Sequence, residues 1–173
     1  AVLEGILRHL RKAEVEATGR TGLAEMRRLI GVLTADDAAG ELAPQPGLAQ
    51  LDELVRTVRS AGLPVEVRTS GTERALPAGV DVNAYRVIQE ALTNALKHAG
   101  NAHASVRVGY GDATLDIEIV DDGSGPVAGA DGTGHGLVGM RERVAVFGGT
   151  LETGARPGGG FLVNASFPLT EEG

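Results

Sequence analysis

Residues 104–120 read ASVRVGYGDATLDIEIV. The stretch divides into two strands, Ala104–Tyr110 and Ala113–Val120, joined by a turn at Gly111-Asp112. So short a connection joins antiparallel neighbours, because parallel strands need a crossover of about a dozen residues or more. Upstream, Pro64–Thr69 alternates Val65 and Val67 with polar residues and reads as a further strand. Downstream, Thr150–Thr153 and Gly160–Phe167 read as a last pair, with Pro157-Gly158-Gly159 turning between them. Helical spacing fills the intervals. Leu48, Leu51, Leu54, Val55 and Val58 predict a short amphipathic helix over 48–61, closed by Gly62. Residues 81–99 read as a central helix and 135–147 as another. Hairpins mixed with helices, rather than alternating βα units, predict an α+β fold: a two-layer α/β sandwich with one sheet covered by helices on one face. A doubly wound Rossmann sheet does not fit strands so closely spaced.

Further out, residues 1–33 read as one long helix. Leu3, Leu7, Leu10, Ala13 and Ala17 form an apolar stripe that Leu23, Met26, Ile30 and Leu33 continue. Gly19 and Gly22 weaken its middle, each by about 1 kcal/mol relative to Ala. Such a stripe cannot be buried alone; it packs on the following domain or pairs with a second chain, and the heptad-like spacing favours pairing. Residues 34–47, with Pro44 and Pro46, read as a linker. The expected division is therefore a helix at 1–33, a linker at 34–47 and a domain at 48–173.

Composition narrows the function. A chain of 173 residues allows one ordinary domain with an appended element. Aromatics make up 3% and Trp is absent, so the core must come from Val, Leu, Ile and Ala. A net charge of −7 argues against general nucleic-acid binding, which wants a basic footprint. Without Cys there are no disulfides, and a reducing compartment fits. No apolar run nears the roughly 20 residues of a membrane span, and the start of the chain has no signal-peptide pattern.

Three short motifs follow in order. On the central helix, Tyr85, Ile88, Leu92, Ala95, Leu96 and Ala99 share the face that must lie on the sheet. Glu90, Asn94 and Lys97 fall opposite, and Lys97 and Lys12 are the only lysines. Hard cations take oxygen ligands and keep waters and substrate phosphates. Asn94 offers such an oxygen without added negative charge, Glu90 can orient a water or accept a proton, and Lys97 can neutralise phosphate. Taken alone, the helix reads more readily as a solvated face, because such polar faces are routine. Next, Val120 runs into Asp121-Asp122-Gly123-Ser124-Gly125, where a carboxylate can accept a hydrogen bond from the adenine amine and glycines let backbone approach the ring. An isolated Asp-Gly turn would look the same. Last, Gly132, Gly134 and Gly136 precede a helix starting near Leu137, an arrangement that can hold an anion on backbone N–H groups. Between them, Pro126–Asp131 reads as a small lid. Combined, the motifs suit a purine nucleotide with a hard cation.

The stretches at 94–98 (NALKH), 121–125 (DDGSG) and 134–144 (GHGLVGMRERV) resemble the ATP-binding domain of bacterial sensor histidine kinases. More narrowly they are similar to the nitrate- and membrane-fluidity-sensing subfamily, and residues 16–33 resemble the second helix of its dimerisation hairpin. The resemblance covers about residues 16–169 and implies the Bergerat ATP fold, shared with gyrase-type ATPases and the Hsp90 chaperone. It implies ATP and Mg²⁺ as cofactors, Glu90 and Asn94 in the N box, and Asn94 on the metal. It gives Lys97 and His98 contacts to phosphate or ribose, and Asp121 the adenine. Gly123 and Gly125 would shape the base pocket, while Thr133, Gly134, His135, Gly136 and Leu137 would cradle the phosphates. Gly158–Gly160 resembles the family's last glycine turn; Phe161 then stands where many members have Thr, which removes one hydroxyl contact near adenine.

Residues 1–15 match the family poorly, and its acceptor histidine motif does not occur here. His9 has no acid beside it and reads as a bundle residue; His103 carries no motif. The expectation is therefore a fragment that binds Mg-ATP and transfers phosphoryl to a histidine on a bundle outside the chain, and thence to a response regulator. Homodimerisation through the N-terminal helix, a cytoplasmic location, and membrane attachment only through missing segments go with it. An anti-sigma-factor-type serine kinase and a non-catalytic nucleotide-gated switch are the alternatives.

Overall fold

The computed structural model describes residues 45–98, 102–123 and 133–169. The expected helix at 1–33, most of the linker and the 126–131 lid lie outside the described residues.

Among the described residues, three helices and five strands form two layers. A 3₁₀ turn, Leu48–Gln50, leads into α1, Leu51–Ser60, and then β1, Val65–Gly71. Next come α2, Ala78–His98, the hairpin of β2, Ala104–Tyr110, and β3, Thr114–Asp121, then α3, Thr133–Val146, and the hairpin of β4, Thr150–Ala155, and β5, Phe161–Pro168. Gly62, at φ +101, makes the turn that stops α1, as its position suggested.

The sheet order is β1-β2-β3-β5-β4. All neighbours are antiparallel except β1 and β2, which run parallel. Here the structure departs from the hairpin expectation: α2 is long enough to be a crossover. β3 and β4 also point the same way on either side of β5, so α3 is a second crossover. Apolar side chains alternate onto one face: Val106 and Val108, Leu115, Ile117 and Ile119, Val163, Ala165 and Phe167 are all buried. α2 lies across β2, β3 and β5, flanked by α1 on the β1 side and α3 on the β4 side. The other face of the sheet is polar, with Arg107 and Glu118 paired across strands at 3.1 Å and Ser166 Oγ donating to Asp116 at 2.6 Å.

The central helix corrects two expectations. It begins at Ala78 rather than residue 81, with the Pro77 carbonyl accepting the Asp81 N–H at 3.0 Å. Gly79 lies in its first turn: a Cβ there would stand 2.6 Å from the Phe147 ring, so the glycine lets the end of α3 press against α2. Burial also extends beyond the sheet-facing stripe of Tyr85, Ile88, Leu92, Ala95 and Leu96 to Arg86, Gln89 and Thr93. These polar groups tolerate burial because they are bonded: Arg86 Nη1 donates to Gln89 Oε1 at 2.9 Å, and Thr93 Oγ1 to the Gln89 carbonyl at 2.7 Å.

Candidate active site

The topology gathers the motifs at one end of the sheet. α2 returns antiparallel to β1 and β2, so its C-terminal half approaches the start of β2. Ala104, at that start, pairs with Asp121 at the end of β3. β5 begins at the same end, since Val120 pairs with Leu162.

The two aspartates at 121–122 have different tasks. Asp121 is buried on the helix-covered face, and its Oδ1 accepts the Gly123 N–H at 2.9 Å. This bond fixes the turn and leaves Oδ2 without a hydrogen bond among the described residues. Asp122 points outward; its Oδ1 accepts the His103 N–H at 2.6 Å, and its backbone N–H donates to the His103 carbonyl at 3.1 Å. The His103 ring lies 3.7 Å from Asp122 Oδ2 with both side chains largely exposed. Asp122 is therefore a structural clasp between β2 and β3, a role for the 121–122 pair that the sequence did not disclose.

The last glycine turn closes on this corner. Gly158, Gly159 and Gly160 have φ of +91, +108 and +88. A Cβ on Gly160 would collide with the Asp121 carbonyl, and one on Gly159 would lie 3.3 Å from the Gly123 carbonyl. Only glycine allows the two turns to touch.

On α2, Glu90 and Asn94 are half-buried and Lys97 is exposed. Helix α3 starts at Thr133 rather than near Leu137, so Gly134, His135 and Gly136 belong to its first turn instead of preceding it. Backbone N–H groups of a first turn lack helical partners, so the shift keeps the donors an anion needs. Gly136 abuts Glu90: a Cβ there would collide with the carboxylate. The structure thus brings the first and third motifs together, and Asp121 and Gly123 against 158–160. Gly125 and the side chains of His98, Thr133 and His135 lie outside what is described.

Among the described residues no group of three or more His, Cys, Asp or Glu could hold a metal. One amide and one carboxylate on a helix face suit a cation that arrives with phosphates and water, not an all-protein cage. Among the described residues two grooves are formed. One of about 480 Å³ is bordered by Pro64, His103, Asp121, Asp122 and Arg156; the other, about 580 Å³, lies at the opposite end among Leu48, Val67, Asp81 and Tyr110. Neither reaches Glu90, Asn94 or Gly136. Burial, aided by the negative charges of Glu73 and Asp81, raises the Tyr110 phenol above its ordinary 10.0. Among the described residues no helix is long and apolar enough to cross a membrane.

Comparison with known proteins agrees with this geometry. The family described as "Histidine kinase-, DNA gyrase B-, and HSP90-like ATPase" matches residues 79–171. The sensor histidine kinase YxjM of Bacillus subtilis (strain 168) is 33% identical over 157 residues, 90% of this chain and 37% of the relative. The histidine-protein kinase/phosphatase DegS of Brevibacillus brevis is 32% identical over 156 residues, 88% of this chain and 39% of the relative. The chain thus spans less than half the length of these relatives. In fold it is similar to the histidine kinase domain of the Erythrobacter litoralis EL346 blue-light activated kinase, with TM-score 0.58 and 21% identity over 90% of this chain and 83% of that one. The chain belongs to the histidine kinase-, DNA gyrase B- and HSP90-like ATPase family, and its matched part is an ATP-binding catalytic domain of the sensor histidine kinase type.

Proposed function

We propose that this domain binds ATP with Mg²⁺ at the end of the sheet where Asp121, Glu90 and α3 meet, and transfers the γ-phosphoryl group to a histidine outside the chain, from which it passes to a response regulator. The observation that carries the reading is the inward, buried Asp121, with one oxygen committed to Gly123 and the other uncommitted among the described residues. A carboxylate so placed accepts from the exocyclic amine of adenine and repels the carbonyl that guanine presents at the same position.

Asn94 is the residue proposed to hold Mg²⁺, whose bound charge would neutralise phosphate. Lys97 and His98 close on the phosphates from α2, while the first turn of α3, over Thr133, Gly134, His135 and Gly136, offers backbone donors and Leu137 follows it. Glu90 accepts a proton or orders a water beside the transferred group. Gly123 and Gly125 shape the base pocket. Catalysis is then mostly positioning and charge neutralisation. Residues 1–33 serve as a dimerisation helix, 34–47 as a linker and 48–173 as the catalytic unit, working in the cytoplasm. The named relatives favour histidine over serine as acceptor.

Calorimetry with ATP and magnesium tests the site. Wild type should bind, and Asp121→Asn, which keeps an acceptor for Gly123 but replaces the free oxygen by a donor, should not. Unchanged affinity in that variant removes Asp121 from the site. Addition of a phosphorylatable histidine bundle should give acid-labile phosphate; acid-stable phosphate would point to serine, and none at all to a switch.

A further inference from the structure

We infer that Arg86 is a positioning residue for phosphoryl transfer: buried in the seam between α2 and α3 and fastened to Gln89, it sets how Glu90 meets the first turn of α3. The inference rests on the catalytic site proposed above and adds a residue to it. Two contacts fix how the helices lie. At one end Gly79 of α2 adjoins the ring of Phe147, the residue after α3; at the other, Gly136 of α3 adjoins the carboxylate of Glu90. Gly79 and Glu90 stand eleven residues apart, and so do Gly136 and Phe147. At 1.5 Å per residue each span is about 16 Å, so α3 runs back along α2 without diverging from it. Arg86 comes seven residues after Gly79 and four before Glu90, within about 40° of both around the helix. Met140 comes four residues after Gly136 and seven before Phe147, so counting from either contact sets it level with Arg86. Met140 and Val144 are fully buried, and Arg86 is only 7% exposed. The guanidinium therefore lies under α3, between the two glycine contacts.

A guanidinium is a poor filler for such a seam. Its charge is costly to bury, and an apolar side chain of similar volume in its place is often neutral or stabilising. What the guanidinium supplies is direction. Its Nη1 donates to Gln89 Oε1 at 2.9 Å, and the Gln89 carbonyl accepts from Thr93 Oγ1 at 2.7 Å. The bonded row thus runs along the helix up to Glu90 and past it. A planar fork holds one geometry, where an unbranched apolar chain adapts to several. Glu90 touches Gly136 directly, so any slip of α3 on this seat displaces the carboxylate. A displacement of about 1 Å costs up to about 100-fold in rate. Nucleotide binding, assigned above to Asp121 and Asn94, is not carried by this contact.

The test replaces both bonded partners together, so that neither is orphaned by loss of the other. In the full chain, Arg86→Met combined with Gln89→Met should bind ADP with wild-type affinity by calorimetry and keep the KM for ATP. Its kcat for transfer to a supplied histidine bundle should fall about 10- to 100-fold. Arg86→Lys, which keeps the charge and a donor but not the fork, should fall between. In a Glu90→Gln background the same double change should cost less than about twofold, because the group being placed is gone. Backbone amides of α3 should exchange about tenfold faster in the double variant, at an unchanged melting temperature. Wild-type kcat in the folded double variant, or in Arg86→Lys should the double variant not fold, overturns the inference. So does an undiminished loss on top of Glu90→Gln. If the wild type itself binds no ATP, the nucleotide site has failed, and the exchange rates, which need no activity, still judge the seat of α3.

Discussion

Gly136→Ala isolates the contact that joins the first motif to the third. A Cβ at position 136 would lie 3.1 Å from Cδ and 3.5 Å from Cγ of Glu90, with Oε1 closer still. The obstacle is the far end of a flexible side chain, so the carboxylate swings aside rather than the helices parting. Leaving its rotamer costs about 0.5–1.5 kcal/mol. Against this, Ala in place of Gly favours a helix by about 1 kcal/mol. The net change in stability is then between about −0.5 and +0.5 kcal/mol. In a Glu90→Ala background there is nothing to displace, and the same substitution should stabilise by the full ~1 kcal/mol. Urea unfolding of the four proteins should return a coupling of about 0.5–1.5 kcal/mol. The single variant, although folded, should also transfer phosphoryl about 100-fold more slowly to a supplied histidine bundle, if Glu90 acts on a proton. Equal stabilisation in both backgrounds would show that α3 does not press on Glu90, and the argument linking the motifs would fail.

Other perturbations test the rest of the site and the fold. Gly160→Ala combines a left-handed backbone with a collision against a carbonyl that cannot rotate away, so unfolding free energy should drop by about 2–5 kcal/mol; Gly154→Ala, in open space on the neighbouring strand, should be neutral to within about 0.5 kcal/mol in the same denaturation series. Asp121→Ala removes the acceptor for the buried Gly123 N–H and should cost about 1–3 kcal/mol, whereas Asp121→Asn should melt near wild type. The raised Tyr110 pKa means the folded state prefers the neutral phenol. Its contribution is intact below pH 10.0 and is lost as pH rises through the higher folded value, so Tyr110→Phe should flatten the fall in melting temperature above that pH.

How much of this was legible in the sequence follows from what each signal depends on. The 104–120 hairpin was readable because period-two alternation is a local property, but its turn falls one residue later than Gly111-Asp112: the Gly111 N–H donates to the Thr114 carbonyl at 2.9 Å, so Asp112-Ala113 make the turn and Tyr110 stands against Leu115 rather than Ala113. The parallel pairing of β1 and β2 was not readable, because nothing local to Val65–Gly71 says which strand will lie beside it. Burial of Arg86, Gln89 and Thr93 was hidden for a related reason: helical periodicity finds the face on the sheet, but α2 is also flanked by α1 and α3. The close approach at Gly79 was not legible either, since a glycine's backbone freedom and its missing Cβ leave the same letter in the sequence.

The same ambiguity governs the site. Glycine motifs are read by habit as phosphate loops, yet Gly136 and Gly160 have neighbours that explain them without any ligand: the carboxylate of Glu90 and the carbonyl of Asp121. Each of these glycines holds a group of the proposed site in place by not having a side chain. The consequence is that loss of activity on substituting either glycine does not by itself locate a phosphate. Only the comparison with variants of the held residue does, because a phosphate-binding glycine stays intolerant when Glu90 is truncated, and a spacer does not.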